Sequence, residues 1–169
     1  HEEFALDGKM IDEQLRYAAA LGLTVVFDIG RYGGCCWQAK QLAAAAGRYP
    51  VLQFVVCHLL APQGRSYEND WREAMKMLNL DNIVFDLASL SSNQRPEPYP
   101  YPTAIWFIKE AMHILGADRM MWGSDLPSNL CGDTYRHLFG YILDSSAFTE
   151  SEKESMLWRT AERIYFGGA

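Results

Sequence analysis

The sequence predicts an α/β fold built on a parallel sheet, and three observations lead to that prediction. Four short apolar segments recur along the chain, and each ends on an aspartate or a histidine. They lack the polar alternation of a half-exposed sheet, which is typical of parallel strands covered on both faces. Stretches of helical composition separate them at the spacing of strand–helix–strand units. The segments are TVVFD ending at Asp28, QFVVCH at His58, NIVFD at Asp86 and RMMWGSD at Asp125.

Helices are predicted before, between and after these strands. Residues 103–115 show the clearest pattern, because apolar side chains recur there at three- and four-residue spacing. His113 lies in this stretch and is expected to be packed inside the protein. The other predicted helices cover residues 11–21, 37–46, 70–78 and 133–143, and a last one begins near residue 150.

Composition and charge narrow the class of protein. The chain has 169 residues, 49% of them hydrophobic, which fits one domain with one core. Its net charge is −6 and its basic residues are scattered, so a nucleic-acid partner is not expected. The apolar stretches are shorter than the roughly 20 residues of a membrane-spanning helix, so we expect a soluble, cytoplasmic protein without a membrane partner. The four cysteines form neither a disulfide pattern nor a CxxC zinc motif and are expected to be reduced.

The four strand-end residues are the first candidates for a functional site. Folds with parallel strands and intervening helices bind ligands at the carboxyl ends of the strands, whether the sheet is an open doubly wound one or a closed barrel. We therefore expect Asp28, His58, Asp86 and Asp125 to converge on one rim. The sequence contains no Gly-rich phosphate loop, which argues against phosphoryl transfer by an open doubly wound domain.

Each candidate has a chemical and a structural interpretation. Asp125 could bind a metal and accept a proton from an attacking water, or it could cap the turn before LPSN. His58 could bind a metal or polarise a carbonyl, or it could be a core histidine bonded to the backbone. Asp28 could bind a cation or satisfy N–H groups of the IGRYGG turn, and Asp86 could face a substrate or cap a turn.

Three further residues are candidates for substrate binding. Arg31 could hold an anionic substrate through two hydrogen bonds, or it could be an ordinary exposed arginine. Tyr99 and Tyr101 lie in the proline-rich loop SSNQRPEPYPYP, which is expected to stand above the rim. Their rings could line a pocket, or the loop could be a stiff connection.

Several of these segments resemble the amidohydrolase-related, or "amidohydrolase 2", branch of the metal-dependent hydrolases. The resemblance covers nearly the whole chain, and the GSD-x-P pattern at Asp125 is its most specific part. The segments that carry it are LGLTVVFDIG, VLQFVVCHLLAPQG, NIVFDLASL, RMMWGSDLP and the terminal AERIYFG.

The resemblance implies a (β/α)8 TIM barrel of which this chain is the C-terminal half, strands 5–8 with their helices. Residues 1–169 would then form a single partial barrel domain that lacks the N-terminal half, since such barrels usually need about 250 residues. The chain also begins at His1 without a methionine, which is consistent with a fragment. A homo-oligomer or a separate N-terminal half would complete the sheet.

The resemblance also implies a divalent metal, most commonly zinc. His58 matches the histidine that ends strand 6 of the family, and Asp125 matches the aspartate that ends strand 8. Asp28 stands where the family places the histidine of strand 5, and the H-x-H pair of strand 1 is absent. Asp28, His58 and Asp125 are therefore the candidate metal ligands, and a metal-free member of the family is the alternative.

The expected activity is that of a metal-dependent hydrolase acting on a small carboxylate, ester, lactone or amide. In this mechanism the catalytic residues are Asp125 as general base and His58 as metal ligand or as partner of the reacting oxygen. The substrate would be a small molecule. The alternatives are a metal-independent lactonase or decarboxylase of the same family and a non-catalytic half-barrel or assembly module. We expect the 169-residue chain alone to be inactive.

Overall fold

Four parallel strands form a single sheet and stand side by side in chain order. The structure is a computed structural model that describes residues 5–167, so His1 lies outside the described residues. Every neighbouring pair of strands is parallel, which confirms the predicted α/β fold. The strands are β1 (Thr24–Phe27), β2 (Gln53–Val56), β3 (Ile83–Asp86) and β4 (Met120–Met121).

The helices begin and end within one turn of their predicted bounds. The last predicted helix is broken into two α-helices by the π-helical segment Ser155–Arg159. Within the described residues no helix is both long and apolar enough to cross a bilayer. The helices are α1 (Lys9–Ala20), α2 (Ala39–Arg48), α3 (Glu68–Met77), α4 (Pro102–Leu115), α5 (Tyr135–Leu143), α6 (Glu150–Glu154) and α7 (Thr160–Phe166).

Local sequence explains where several helices start and stop. Thr149 and Glu152 form a capping box at the start of α6, in which each side chain accepts a hydrogen bond from the other residue's backbone N–H. Pro102 occupies the first turn of α4, where its missing N–H costs nothing. Gly116 ends α4 with φ of 91°, a conformation that residues with a Cβ rarely adopt.

The core lies mainly between the sheet and helices α2 to α4. Phe54 and Phe85 project from the strands into this layer, where both are fully buried. Phe107 of α4 is buried in the same cluster. His113, on the same helix, is exposed, so the expectation that it is packed inside was wrong. Its helix position faces away from the apolar stripe that the sequence pattern correctly identified.

The opposite face of the sheet is covered by the C-terminal helix. Val55, Val84 and Met121 are buried on this face and pack against Ala161 and Ile164 of α7. Each strand side chain here alternates with one that points into the main core, as expected for a strand covered on both faces. The sheet is thus enclosed by helices on both sides along β2, β3 and β4.

The two outer edges of the sheet differ. Beside β4, the N–H of Trp122 donates to the carbonyl of Met156 in the π-helical segment at 2.6 Å, so the C-terminal region covers this edge. Along β1, no strand among residues 5–167 pairs with the outer edge. Val26 of β1 is 52% exposed and Leu23, just before the strand, is 51% exposed. An uncovered strand edge with apolar side chains is a surface for pairing.

Candidate active site at the carboxyl ends of the strands

The predicted strand-end residues lie at the same edge of the sheet, and direct contacts connect three of them. The Nε2 atom of His58 is 3.8 Å from Oδ2 of Asp28, and its Nδ1 atom is 3.8 Å from Oδ1 of Asp86. Asp125 reaches the same region through Ser89. We call Asp28, Cys57, His58 and Asp86 the histidine side of the rim.

An unusual backbone segment positions His58. His58, Leu59, Leu60 and Ala61 follow one another with positive φ angles of 59°, 51°, 65° and 46°. Residues with a Cβ rarely adopt this left-handed conformation, and each costs roughly 1–2 kcal/mol. Surrounding contacts stabilise the segment, since Trp71 Nε1 donates to the carbonyl of Leu59 at 2.9 Å. Strain of this kind is concentrated at functional sites, which supports the interpretation of His58 as a site residue.

The imidazole of His58 has a defined orientation. Its Nδ1 atom is 2.9 Å from the carbonyl oxygen of Ala88, so Nδ1 carries the proton when the ring is neutral. Nε2 is then left with a free lone pair that faces Asp28. The side chain of His58 is 20% exposed and that of Asp28 is 59% exposed, so this nitrogen can be reached by a small molecule.

Asp86 mainly supports the backbone of this region. Its Oδ1 atom accepts hydrogen bonds from the N–H of His58 at 2.8 Å and from the N–H of Ala88 at 3.0 Å. The side chain is 14% exposed. Asp86 therefore fixes the residues that orient His58, while its predicted contact with a substrate stays a prediction. Asp28 also performs the turn role that the sequence allowed, because its Oδ1 accepts the N–H of Gly30 at 2.9 Å.

Asp125 is held by neutral groups. The hydroxyl of Ser89 donates to Oδ2 of Asp125, and the hydroxyl of Ser128 donates to the same oxygen at 3.1 Å. Asn129 in turn donates from Nδ2 to the Ser89 oxygen at 3.0 Å. Asp125 has a positive φ of 48°, a left-handed conformation that residues with a Cβ adopt uncommonly. We call Ser89, Asp125, Ser128 and Asn129 the aspartate side of the rim.

The thiol of Cys57, on the histidine side, is influenced by carboxylates of both sides. Burial raises the pKa of its thiol strongly, and the negative charges of Asp86, Asp28 and Asp125 raise it further. All three carboxylates must be near Cys57 for their charges to act on it. Carboxylates from both sides of the rim thus act on the same thiol.

Tyr165 of α7 also approaches this region, although no strand-end pattern in the sequence indicated it. Burial raises the pKa of its hydroxyl, with further contributions from the charges of Asp86 and Cys57. The helix that covers the second face of the sheet thus brings a phenol close to the histidine side. Only the resemblance of the AERIYFG segment to the family could have indicated that this tyrosine belongs near the site.

The two predicted substrate-binding tyrosines lie in a different network. The hydroxyl of Tyr99 donates to Asp144 at 3.2 Å, and its ring stacks on His137 with 4.4 Å between centroids. The hydroxyl of Tyr101 donates to Asp133, which also accepts from Nδ1 of His137. No described contact joins either tyrosine to the strand-end residues. Burial and the Asp133 carboxylate raise the pKa of Tyr101.

Arg31 lies in the loop that follows β1, close in sequence to Asp28. Its guanidinium donates to Oε1 of Gln63, which belongs to the loop after β2. Both side chains are exposed. No ion pair to Arg31 is found within residues 5–167, so its charge is available to an anion.

The described side chains do not by themselves fit the zinc site that the resemblance implies. A catalytic zinc needs three protein ligands. Within residues 5–167, no group of three or more His, Cys, Asp or Glu side chains is arranged to hold a metal ion. His58 Nε2 and Asp28 Oδ2 form a pair of donors, whereas one oxygen of Asp125 is occupied by two hydroxyl groups.

Comparison with known proteins identifies the family. The sequence profile described as "Amidohydrolase" matches residues 1–167. This chain belongs to the amidohydrolase family. Among curated proteins, an uncharacterized protein of Sinorhizobium fredii is 23% identical over 138 residues, which cover 76% of this chain and 44% of that protein. The family assignment confirms the resemblance found in the sequence.

Solved structures of other amidohydrolases share the fold. An amidohydrolase from Burkholderia multivorans with bound zinc has a TM-score of 0.79 and 19% identity, covering 95% of this chain and 58% of that one. The 5-carboxyvanillate decarboxylase of Sphingomonas paucimobilis has a TM-score of 0.65 and 14% identity, covering 95% of this chain and 54% of that one. The chain thus spans little more than half the length of these neighbours. Hydrolase and decarboxylase names both occur among the solved structures that share this fold.

Proposed function

We propose that this chain supplies the strand-end residues of an amidohydrolase active site that hydrolyses a small ester, lactone, amide or carboxylate. One observation carries the proposal. Two consecutive residues of the loop after β3, Ala88 and Ser89, bond to His58 and Asp125 respectively. This loop therefore fixes a base and an imidazole at one edge of a parallel sheet, which is where such folds carry out chemistry.

Asp125 acts as the general base in this proposal. The described hydrogen bonds to its carboxylate, from Ser89 and Ser128, both reach Oδ2. The other oxygen is left to accept a proton from an attacking water. The two hydroxyl groups prevent rotation of the carboxylate, so the accepting oxygen keeps its direction.

His58 acts on the reacting oxygen of the substrate. With Nδ1 fixed on the Ala88 carbonyl, Nε2 is the atom that meets a ligand. Asp28 lies 3.8 Å from Nε2, and when Nε2 carries a proton its N–H can donate to an oxygen that becomes negative. In a decarboxylase of the same architecture, the same N–H would bind the substrate carboxylate.

A divalent metal can take part in the proposed reaction only if further ligands help to hold it. Zinc would activate water by lowering its pKa toward about 7. His58 and Asp28 offer two donors, so a catalytic zinc would need a further ligand. The metal-independent lactonase or decarboxylase is the alternative, and in it Asp125 and His58 act directly.

The test uses a chimera as well as the chain itself. The coding sequence is fused behind the N-terminal part of the Burkholderia multivorans amidohydrolase that this chain does not match. Turnover of small lactones, esters and aromatic carboxylates is measured with zinc and with a chelator. We expect turnover from the chimera, none from the chain alone, and a loss of about 100-fold or more in Asp125→Asn, since general bases contribute roughly that much.

The control variant is Asp7→Asn, which changes an exposed carboxylate far from the strand ends in sequence. It should leave turnover unchanged. A folded chimera that turns over none of these substrates would contradict the proposal. Equal turnover in Asp125→Asn and Asp7→Asn would contradict the role of Asp125.

An assembly module is the second candidate function, and the open edge of β1 favours it. Leu23 and Val26 are exposed there, while the edge beside β4 is covered by the C-terminal region. A partner strand from a second copy or from an N-terminal half-barrel would bury both.

Analytical ultracentrifugation should show that the chain associates and that Val26→Lys weakens this association. A monomer at all concentrations would exclude self-assembly through this edge.

A further inference from the structure

Two cysteines stand next to each other in the loop between β1 and α2. Cys35 and Cys36 are both exposed free thiols. Their Sγ atoms are 3.7 Å apart, so one thiol donates a hydrogen bond to the other. Neither belongs to the strand-end residues. The pair therefore offers two neighbouring sulfur atoms to a molecule that arrives from solution.

A disulfide within this pair is disfavoured by the chain itself. Adjacent α-carbons are about 3.8 Å apart, whereas disulfides usually join α-carbons that are about 4.4–6.8 Å apart. A bond between Cys35 and Cys36 would therefore be strained and readily reduced. The chemistry that suits the pair is one that uses both thiols without joining them directly.

The distance between the two sulfur atoms favours a particular geometry of the bound centre. Metal–thiolate bonds such as zinc–sulfur are about 2.3 Å long, so two sulfur atoms on opposite sides of an ion would be about 4.6 Å apart. The 3.7 Å between these Sγ atoms instead suits a centre that binds both at a bent angle. Trivalent arsenic is such a centre, because its lone pair makes its three bonds pyramidal.

The number of donors also distinguishes arsenic from zinc. A structural zinc site takes four protein ligands and a catalytic one takes three. Within residues 5–167, no third His, Cys, Asp or Glu side chain joins the pair in an arrangement that could hold a metal ion. A monosubstituted arsenical keeps its organic group as the third substituent and needs only two sulfur atoms from the protein.

The protons of the two thiols complete the reaction. The hydrogen bond with Cys35 raises the pKa of Cys36, and the charges of Cys35 and Asp28 raise it further, so Cys36 keeps its proton at neutral pH. When an arsenoxide R–As=O reacts with the pair, two As–S bonds form while the As=O bond and both S–H bonds break. The oxygen leaves with the two protons as water. Arsenic stays trivalent, so the step needs no oxidant or reductant.

We propose that Cys35 and Cys36 form a dithiol site that binds a monosubstituted trivalent arsenical through both sulfur atoms. The site is independent of the proposed function, because no strand-end residue bonds to the arsenic. It lies beside the rim, since the charge of Asp28 acts on Cys36. The second As–S bond forms within one molecule, and linking two attachments in this way strengthens binding by about 100-fold or more.

The test is the reaction of phenylarsine oxide with the full chain, which is first reduced and then freed of reductant. Intact mass spectrometry should show one phenylarsenic group per chain and the loss of two protein hydrogens. An excess of the monothiol glutathione should leave this adduct in place. The dithiol 2,3-dimercaptopropanol should remove it, because it offers the arsenic two sulfur atoms of its own.

Single variants test whether both sulfur atoms are needed. In Cys35→Ser and in Cys36→Ser, the glutathione concentration that removes half of the adduct should fall about 100-fold or more. The matched control is Cys131→Ser, which removes an exposed cysteine outside the pair and should leave the adduct unchanged. Circular dichroism checks that all three variants are folded.

Four results would overturn the proposal. They are the absence of an adduct on the unmodified chain, removal of that adduct by glutathione, an unchanged adduct in both Cys35→Ser and Cys36→Ser, and loss of the adduct in Cys131→Ser.

Discussion

The histidine side and the aspartate side of the rim hold their central residues by different means. On the histidine side, charged groups surround His58, with Asp28 and Asp86 each 3.8 Å from one of its ring nitrogens. On the aspartate side, neutral hydroxyl groups of Ser89 and Ser128 hold the single charge of Asp125. The difference teaches that the two central residues are positioned by different kinds of partner, charged around the imidazole and neutral around the carboxylate.

This contrast agrees with the different roles proposed for His58 and Asp125. In the proposed function, His58 donates a hydrogen bond through Nε2, and Asp125 accepts a proton through the oxygen that neither serine hydroxyl engages. Four predictions test the contrast.

The largest expected effect is on turnover. Replacing His58 by Asn in the chimera should lower turnover about 100-fold, since a positioned acid or base contributes roughly that factor. His113→Asn, at an exposed histidine of α4, is the control and should have no effect. If both variants lose the same activity, the histidine side has no special role.

A large effect on stability is expected at Asp86. Asp86→Ala leaves the N–H groups of His58 and Ala88 without an acceptor, so the free energy of unfolding should fall by about 2 kcal/mol. Asp28→Ala removes an exposed carboxylate and should change it by less than about 0.5 kcal/mol. Urea denaturation measures both. Similar losses in the two variants would show that Asp86 does not organise this side.

The reactivity of the Cys57 thiol depends on the carboxylates around it. Because burial and the surrounding carboxylates raise its pKa, alkylation by iodoacetamide at pH 8 should be at least about tenfold slower than at the exposed Cys131. The pKa of this thiol is higher in the folded state than in the unfolded state. The resulting stabilisation is therefore fully present below the unfolded pKa and is lost as the pH rises toward the folded pKa. Asp86→Asn should speed the alkylation of Cys57. Equal rates at Cys57 and Cys131 would contradict the electrostatic picture.

The smallest effect is expected at Ser89. Ser89→Ala removes a hydrogen bond to Asp125 and the acceptor of the Asn129 amide, so the free energy of unfolding should fall by about 1 kcal/mol. Ser66→Ala, at an exposed serine, is the control. A loss larger than that of Asp86→Ala would reverse the proposed order of the two sides.

The sheet and its helices could be predicted from the sequence because each element carries its own pattern. Apolar runs without alternation identified β1 to β3, and their strand ends correctly placed Asp28, His58 and Asp86 at one edge. The fourth strand is only Met120–Met121, although the apolar run that predicted it is longer. The turn toward Asp125 begins sooner than hydrophobicity alone indicates.

Contacts that depend on unusual backbone could not be predicted. The left-handed run from His58 to Ala61 contains no glycine or asparagine, the residues that normally indicate such a conformation. Likewise, Tyr99 and Tyr101 were placed above the rim from loop position alone. Their partners, Asp144 and Asp133, are far along the chain and leave no pattern in the loop itself.

The cover that α7 forms over Val55, Val84 and Met121 has a consequence for synthesis on the ribosome. Ala161 is 40 positions later than Met121, so translation needs roughly two to eight seconds to reach it. During that interval the nascent sheet presents an apolar surface that its own C-terminal segment has yet to shield. Chaperones that recognise exposed apolar strands would bind the nascent chain during that interval.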